Sequence, residues 1–198
     1  MQTFMPFSNY EKSLSILDKK RLQKQAIETS QILDILLDLP TKSGKKRKGW
    51  LKHPALIMWA NNTGSLFDYF LTNVEECKKR QIKTEYCEQK ILIYEKFKLD
   101  SIKPIWLGDE EIHASHRSRL LQKGFEEKYK YGDRGNATIN WYSSFEWNEM
   151  SDPEFFTKEY YWPINITQSS YDKEHRVSKD ALKLKHNLIQ AFGANPWA

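Results

Sequence analysis

The chain has 198 residues, enough for one good hydrophobic core with an appendage and short for two ordinary domains. Its 31 basic and 26 acidic residues leave a net charge of +5, with the excess concentrated in "KKRLQK" and "TKSGKKRKGWLKH" while residues 145–159 are acidic; that asymmetry favours an anionic partner, nucleic acid ahead of a membrane surface, over a uniformly solvated charged shell. Cys77 and Cys87 fit neither a zinc knuckle nor a redox motif, and the lack of a charged-then-apolar leader or a long apolar run argues against export and membrane insertion, so a cytoplasmic protein with reduced thiols is expected.

Read in chain order, the pattern is mainly α: a compact single-domain helical bundle with an irregular, aromatic-rich C-terminal extension. A first helix is expected from about Tyr10 to Leu39, ended by Pro40 and followed by the basic, glycine-containing loop Thr41 to Gly49. A second should follow "KHPALIMW" and run through "SLFDYFLTNVEECKKRQ", with "NNTG" as a place to divide it. Leu66, Tyr69, Phe70, Val74 and Cys77 recur at helical spacing and belong to the core. Further helices are expected over about Thr84 to Lys96 and about Glu110 to Lys123, the latter stopping at Gly124. Residues 125–176 change texture: rich in Tyr, Trp and Phe, and punctuated by "YGDRGN" and "SDP". They read as an extended segment laid over the helical body, with a short helix from Ser178 to Phe192 to dock it. Their rings suit either burial against the core or stacking on bases.

On a helical wheel at about 100° per residue, Leu22, Ala26, Leu33 and Leu36 form a core stripe, and Arg21, Gln25 and Glu28 line its edge. Glu28 is thus a lone acid behind Lys19, Lys20, Arg21 and Lys24, at the rim where a cleft would open. An ordinary Lys24–Glu28 helix pair is the plain alternative. In "HASHRSRLLQK", His116, Arg119 and Lys123 share a face suited to gripping successive phosphates. His113 and His116 lack a convincing third ligand, so no metal is expected. No Walker loop, nucleotide-binding glycine motif or nucleophile elbow is present, so no nucleoside triphosphate or other cofactor is implied.

Taken together in order, "LDKKRLQKQAIE", "KHPALIMW" with downstream "ECKKRQ", "WLGDEEIHASHRSRLLQK" and an outlying "YYWP" resemble the pyrimidine-dimer DNA glycosylases, the endonuclease V-like family. The resemblance covers about residues 1–131, taken as one helical domain, and leaves 132–198 as an extension packed on it. It implies a DNA glycosylase, with or without AP-lyase activity, that excises a damaged or modified pyrimidine from duplex DNA. In the family the α-amine of the N-terminus attacks the deoxyribose carbon and a glutamate of the first long helix assists, roles that fall here on Met1 and Glu28. DNA contacts are implied or suggested for Arg21, Lys24, Gln25, His113, His116, Arg117, Arg119 and Lys123. Where the family carries arginines after its N-terminal residue and before its glutamate, this chain has Gln2 or Thr3 and Ile27. The expected partner is duplex DNA, without a membrane and with the protein a monomer, located in the host cytoplasm if the chain is phage-encoded. Two other readings stand beside this one: a non-catalytic DNA-binding module on the same scaffold, and an enzyme modifying a phage-type DNA base with His113 or His116 as its base.

Overall fold

The computed structural model describes residues 2–47, 49–117, 119–120 and 161–175. Among these residues the protein is mainly α, as the sequence pattern implies. The single first helix expected over Tyr10 to Leu39 is two helices: α1 (Tyr10–Ser15) and α2 (Lys19–Leu36). Asp18 causes the break. It sits in extended backbone and its carboxylate accepts the Arg21 N–H at 2.9 Å, so it caps a new helix instead of continuing the old one. The carbonyls left open at the end of α1 are covered from a distance, because Arg80 donates to the oxygens of Ser15 and Leu17.

Helix α3 (Pro54–Ile57) begins with proline at its first position, and the His53 ring accepts the Ala55 N–H at 3.1 Å as its cap. It is separated from α4 (Thr63–Lys79) by a turn that ends at Asn62, so the division falls inside "NNTG", whose Thr63 and Gly64 open the new helix. Helix α5 (Glu85–Tyr94) tightens into a 3-10 turn over Glu95–Phe97 and is ended by left-handed Lys98. A further helix, α6, spans residues 110–117. Strands β1 (Tyr161–Ile164) and β2 (Asp172–His175) then form an antiparallel hairpin, with Tyr161 opposite His175 and Ile164 opposite Asp172. This corrects the expectation of an irregular segment there. The neighbours Trp162 and Pro163 are both buried, so β1 lacks the inside-outside alternation that marks a strand in sequence. The expected helix over 178–192, the aromatic residues of 125–160 and the boundary at 131 lie outside the described residues.

The core forms where α2 crosses α4, with α1 against α4 and β1 against α3. Leu22, Ala26 and Leu33 are buried as the wheel requires, and Leu36 packs at the core margin. Leu66, Tyr69, Phe70, Val74 and Cys77 supply the facing side. Both cysteines are free, and burial pushes each thiol up to about 11, which keeps them protonated and inert near neutrality. Beside the core, the closed-off Asp34 carboxylate receives Arg47 at 2.7 Å, Lys90 at 2.8 Å and the Tyr94 hydroxyl at 2.8 Å. Arg47 belongs to the basic loop after α2, so this cluster anchors that loop to the helices.

Candidate active site

Residues 3–6 are buried yet belong to neither helix nor strand. A buried chain of that kind has main-chain donors and acceptors to satisfy, and no ladder to do so. Side chains from four helices do it instead. From α2, the Gln25 amide brackets Phe4: its oxygen accepts the Phe4 N–H at 2.9 Å and its nitrogen donates to the Phe4 carbonyl at 3.2 Å. From α4, the Tyr69 hydroxyl donates to that carbonyl at 2.8 Å. From α1, Ser13 brackets Phe7, accepting its N–H at 3.0 Å and donating to its carbonyl at 2.8 Å. From α6, three residues hold the middle of the segment.

Those three are His113, His116 and Arg117. His116 Nδ1 accepts the Met5 N–H at 2.8 Å, so that nitrogen carries no proton. His113 Nε2 accepts the Gly108 N–H at 3.0 Å, which leaves the proton on its Nδ1 to be donated to the Met5 carbonyl at 2.7 Å. The two rings therefore grip one residue in complementary tautomers, and both do so as neutral imidazoles. Burial lowers the pKa of each, with that of His116 pushed down to about 3. Arg117 donates to the Pro6 carbonyl at 2.6 Å and pairs with Glu110. The Thr3 side chain is fixed as well, accepting the Trp59 indole N–H at 2.9 Å.

At the outer end of this threaded segment stands Glu28. Its Oε2 accepts the Gln2 N–H at 3.0 Å, while Lys24 Nζ lies 3.8 Å from its Oε1. The Glu28 side chain is 19% exposed and that of Lys24 71%, so the carboxylate sits at a mouth with the cation outside it. Arg21 is drawn away to Asp18 at the start of α2 and is largely buried. Arg119, also helical, is half-buried two residues after Arg117. Met1 and Lys123 lie outside the described residues.

The geometry thus gathers Gln25, His113, His116, Arg117 and Glu28 on one segment. It does not offer the first four to phosphates as expected: all four are buried, because the main chain of residues 4–6 uses their hydrogen-bonding groups. Their shared involvement was not legible locally, since the segment they serve lies up to 111 residues away in sequence. Ser13, Tyr69 and Trp59 were missed for the same reason. Trp162 was missed too: it stands edge-on to His116 at 6.2 Å and to His53 at 6.1 Å, joining the hairpin to the site.

Among the described residues no three His, Cys, Asp or Glu side chains gather as a metal site, and no helix is long and apolar enough to cross a membrane. The family model described as pyrimidine dimer DNA glycosylase matches residues 1–87. No curated protein and no solved structure matches the chain. The matched portion includes the threaded segment together with Gln25, Glu28, Trp59 and Tyr69, so this N-terminal part of the chain is similar to the pyrimidine dimer DNA glycosylases.

Proposed function

We propose that the chain excises a damaged or modified pyrimidine from duplex DNA through an imine formed on the α-amine of Met1. The observation that carries this reading is the Glu28 carboxylate on the Gln2 N–H, 3.0 Å away. Consecutive backbone nitrogens are at most about 3.7 Å apart, so covalent geometry alone keeps an amine on residue 1 within roughly 7 Å of that carboxylate. An α-amine with a reference pKa of about 8 is partly neutral at physiological pH, and its neutral form is the nucleophile.

The chemistry then follows in balanced steps. The amine nitrogen bonds to the deoxyribose C1′ as the bond from C1′ to the base breaks, and the base leaves with the electron pair and takes a proton. The ring oxygen leaves C1′ as the sugar opens to the imine and takes a proton in turn. Loss of a C2′ proton expels the 3′ phosphate, and water later releases the amine. Glu28 stabilises the positive charge that grows on the sugar and moves protons to and from it. A stacked nucleotide hides C1′, so the duplex must be distorted and the nucleotide extruded. The reading in which His113 or His116 is a catalytic base loses support, because both rings are committed to Met5.

Borohydride trapping of the untagged protein tests the proposal, on duplexes carrying a cyclobutane pyrimidine dimer, an abasic site or neither, with peptide mapping of any adduct. An adduct at Met1 on the dimer duplex is expected. Trapping confined to the abasic duplex would remove dimer excision and leave a lyase, and tight salt-sensitive binding without any adduct would replace the enzyme with a binding module.

A further inference from the structure

The loop between α2 and α3 carries a feature that the amine chemistry does not use. Trp50 and Leu51 are 60% and 52% exposed, adjacent, and flanked in sequence by basic residues. Trp50 also has φ 67°, a left-handed conformation that a bulky side chain adopts only at a cost. The turn that displays the pair is held at both ends. The Trp50 carbonyl accepts the His53 N–H at 2.9 Å, His53 caps α3, and upstream Arg47 is tied to Asp34 and to the Leu39 carbonyl. Trp50 touches the His53 ring by one edge, yet most of its surface and that of Leu51 is presented to solvent on a strained turn tied at both ends.

Charge and position select the occupant. Lys42, Lys45 and Lys52 are exposed on the same loop, whereas the acids near it are occupied: Asp38 by Lys46 and Asp34 by Arg47 and Lys90. An exposed apolar pair on a loop that also carries unneutralised lysines fits a partner with flat apolar faces inside a polyanionic shell, which is the description of stacked base pairs. The loop also connects to the site. Trp50, His53, Trp162, His116 and Phe4 follow one another ring to ring at 5.2, 6.1, 6.2 and 6.4 Å, and Phe4 lies on the threaded segment that ends at Glu28.

We infer that Trp50, backed by Leu51, is a wedge that enters the base stack of duplex DNA beside the nucleotide presented to Glu28, while the lysines of its loop hold the phosphates. Inserted apolar side chains unstack a base step and kink the duplex, which is the distortion that excision requires. The inference extends the proposed glycosylase reading but is read out without catalysis. A Trp50→Ala variant of the full chain, with Leu51→Ala and Trp50→Phe beside it, is titrated onto a dimer-containing duplex bearing 2-aminopurine next to the lesion, at several salt concentrations.

The expected result is a 2-aminopurine fluorescence rise with the parent protein that Trp50→Ala loses, with affinity about tenfold weaker. The slope of log K against log salt should stay unchanged, because an indole releases no counterions. Leu51→Ala should fall between, and Trp50→Phe should retain most of the signal. Unchanged affinity and fluorescence in Trp50→Ala would overturn the wedge, and so would a loss explained wholly by a changed salt slope. A parent protein that unstacks the duplex without forming any trapped adduct would sink the imine reading and leave the wedge standing. One that excises equally well with and without Trp50 would do the reverse.

Discussion

Glu28 and Asp34 are both acids of α2, yet their surroundings set them different tasks. Asp34 is saturated by Arg47, Lys90 and Tyr94 and has no capacity left for a ligand. Glu28 spends one oxygen on the Gln2 N–H and turns the other toward an exposed lysine, so its carboxylate is held but not enclosed. A Glu28→Gln substitution keeps the shape and the hydrogen bond and removes the charge. Single-turnover excision on the dimer duplex should fall about 10²- to 10⁴-fold, while duplex affinity holds or rises. Full activity in that variant would remove Glu28 from the chemistry. His116 makes a second prediction at this scale. Its pKa is depressed to about 3 in the fold, with His113 and Arg117 as charged or titratable neighbours, so between that value and about 6.5 the unfolded chain binds a proton that the native state refuses. Stability is therefore complete above about pH 6.5 and declines as pH falls through this window, by on the order of a few kcal/mol in total. Urea midpoints at pH 7 and pH 4.5 should show a smaller drop for His116→Gln, whose amide oxygen can still accept the Met5 N–H, than for the parent. Equal drops would assign the acid sensitivity elsewhere.

At the scale of elements, the fold depends on close approaches that only certain residues permit. A Cβ on Gly64, in the first turn of α4, would lie 2.0 Å from the Asp100 carbonyl oxygen, so the chain leaving α5 crosses α4 with no room for a methyl group. Gly64→Ala should cost about 1–3 kcal/mol as overpacking, despite alanine's better helix propensity, and urea denaturation would show it; a neutral or stabilising result would mean the crossing can move. What was legible beforehand follows from what each signal measures. The stripe through Leu22, Ala26 and Leu33 was readable because burial on one helix face repeats every turn. The break at Asp18 was not, since capping is a single local hydrogen bond set inside an uninterrupted helical pattern. Glu28 stood out as an acid among bases, but the neighbouring Gln25 and the histidines of α6 read as contacts for DNA, whereas their hydrogen bonds go to the main chain of Phe4 and Met5. Their role comes from an irregular segment distant in sequence, and no periodicity within one helix encodes it.

Across the whole molecule, the proposed reading separates two kinds of contact that excision from duplex DNA would combine. The residues that hold the threaded segment are buried and neutral or internally paired, so among the described residues the cations open to an anionic partner lie on the outer shell, including Lys24 at the mouth and Lys42, Lys45 and Lys52 on the loop after α2. Such lysines bind phosphates independently of sequence and release condensed counterions as they do so. Replacing Lys42, Lys45 and Lys52 with glutamine should therefore reduce the magnitude of the slope of log K against log salt by about 3, measured by fluorescence anisotropy on an undamaged duplex. The same variant should keep the parent's preference for a lesion duplex over a plain one, because the lost term is common to both. Losing the preference while keeping the slope would mean that these lysines read the lesion, and that the division between an electrostatic rim and a neutral interior does not describe how the protein finds its target.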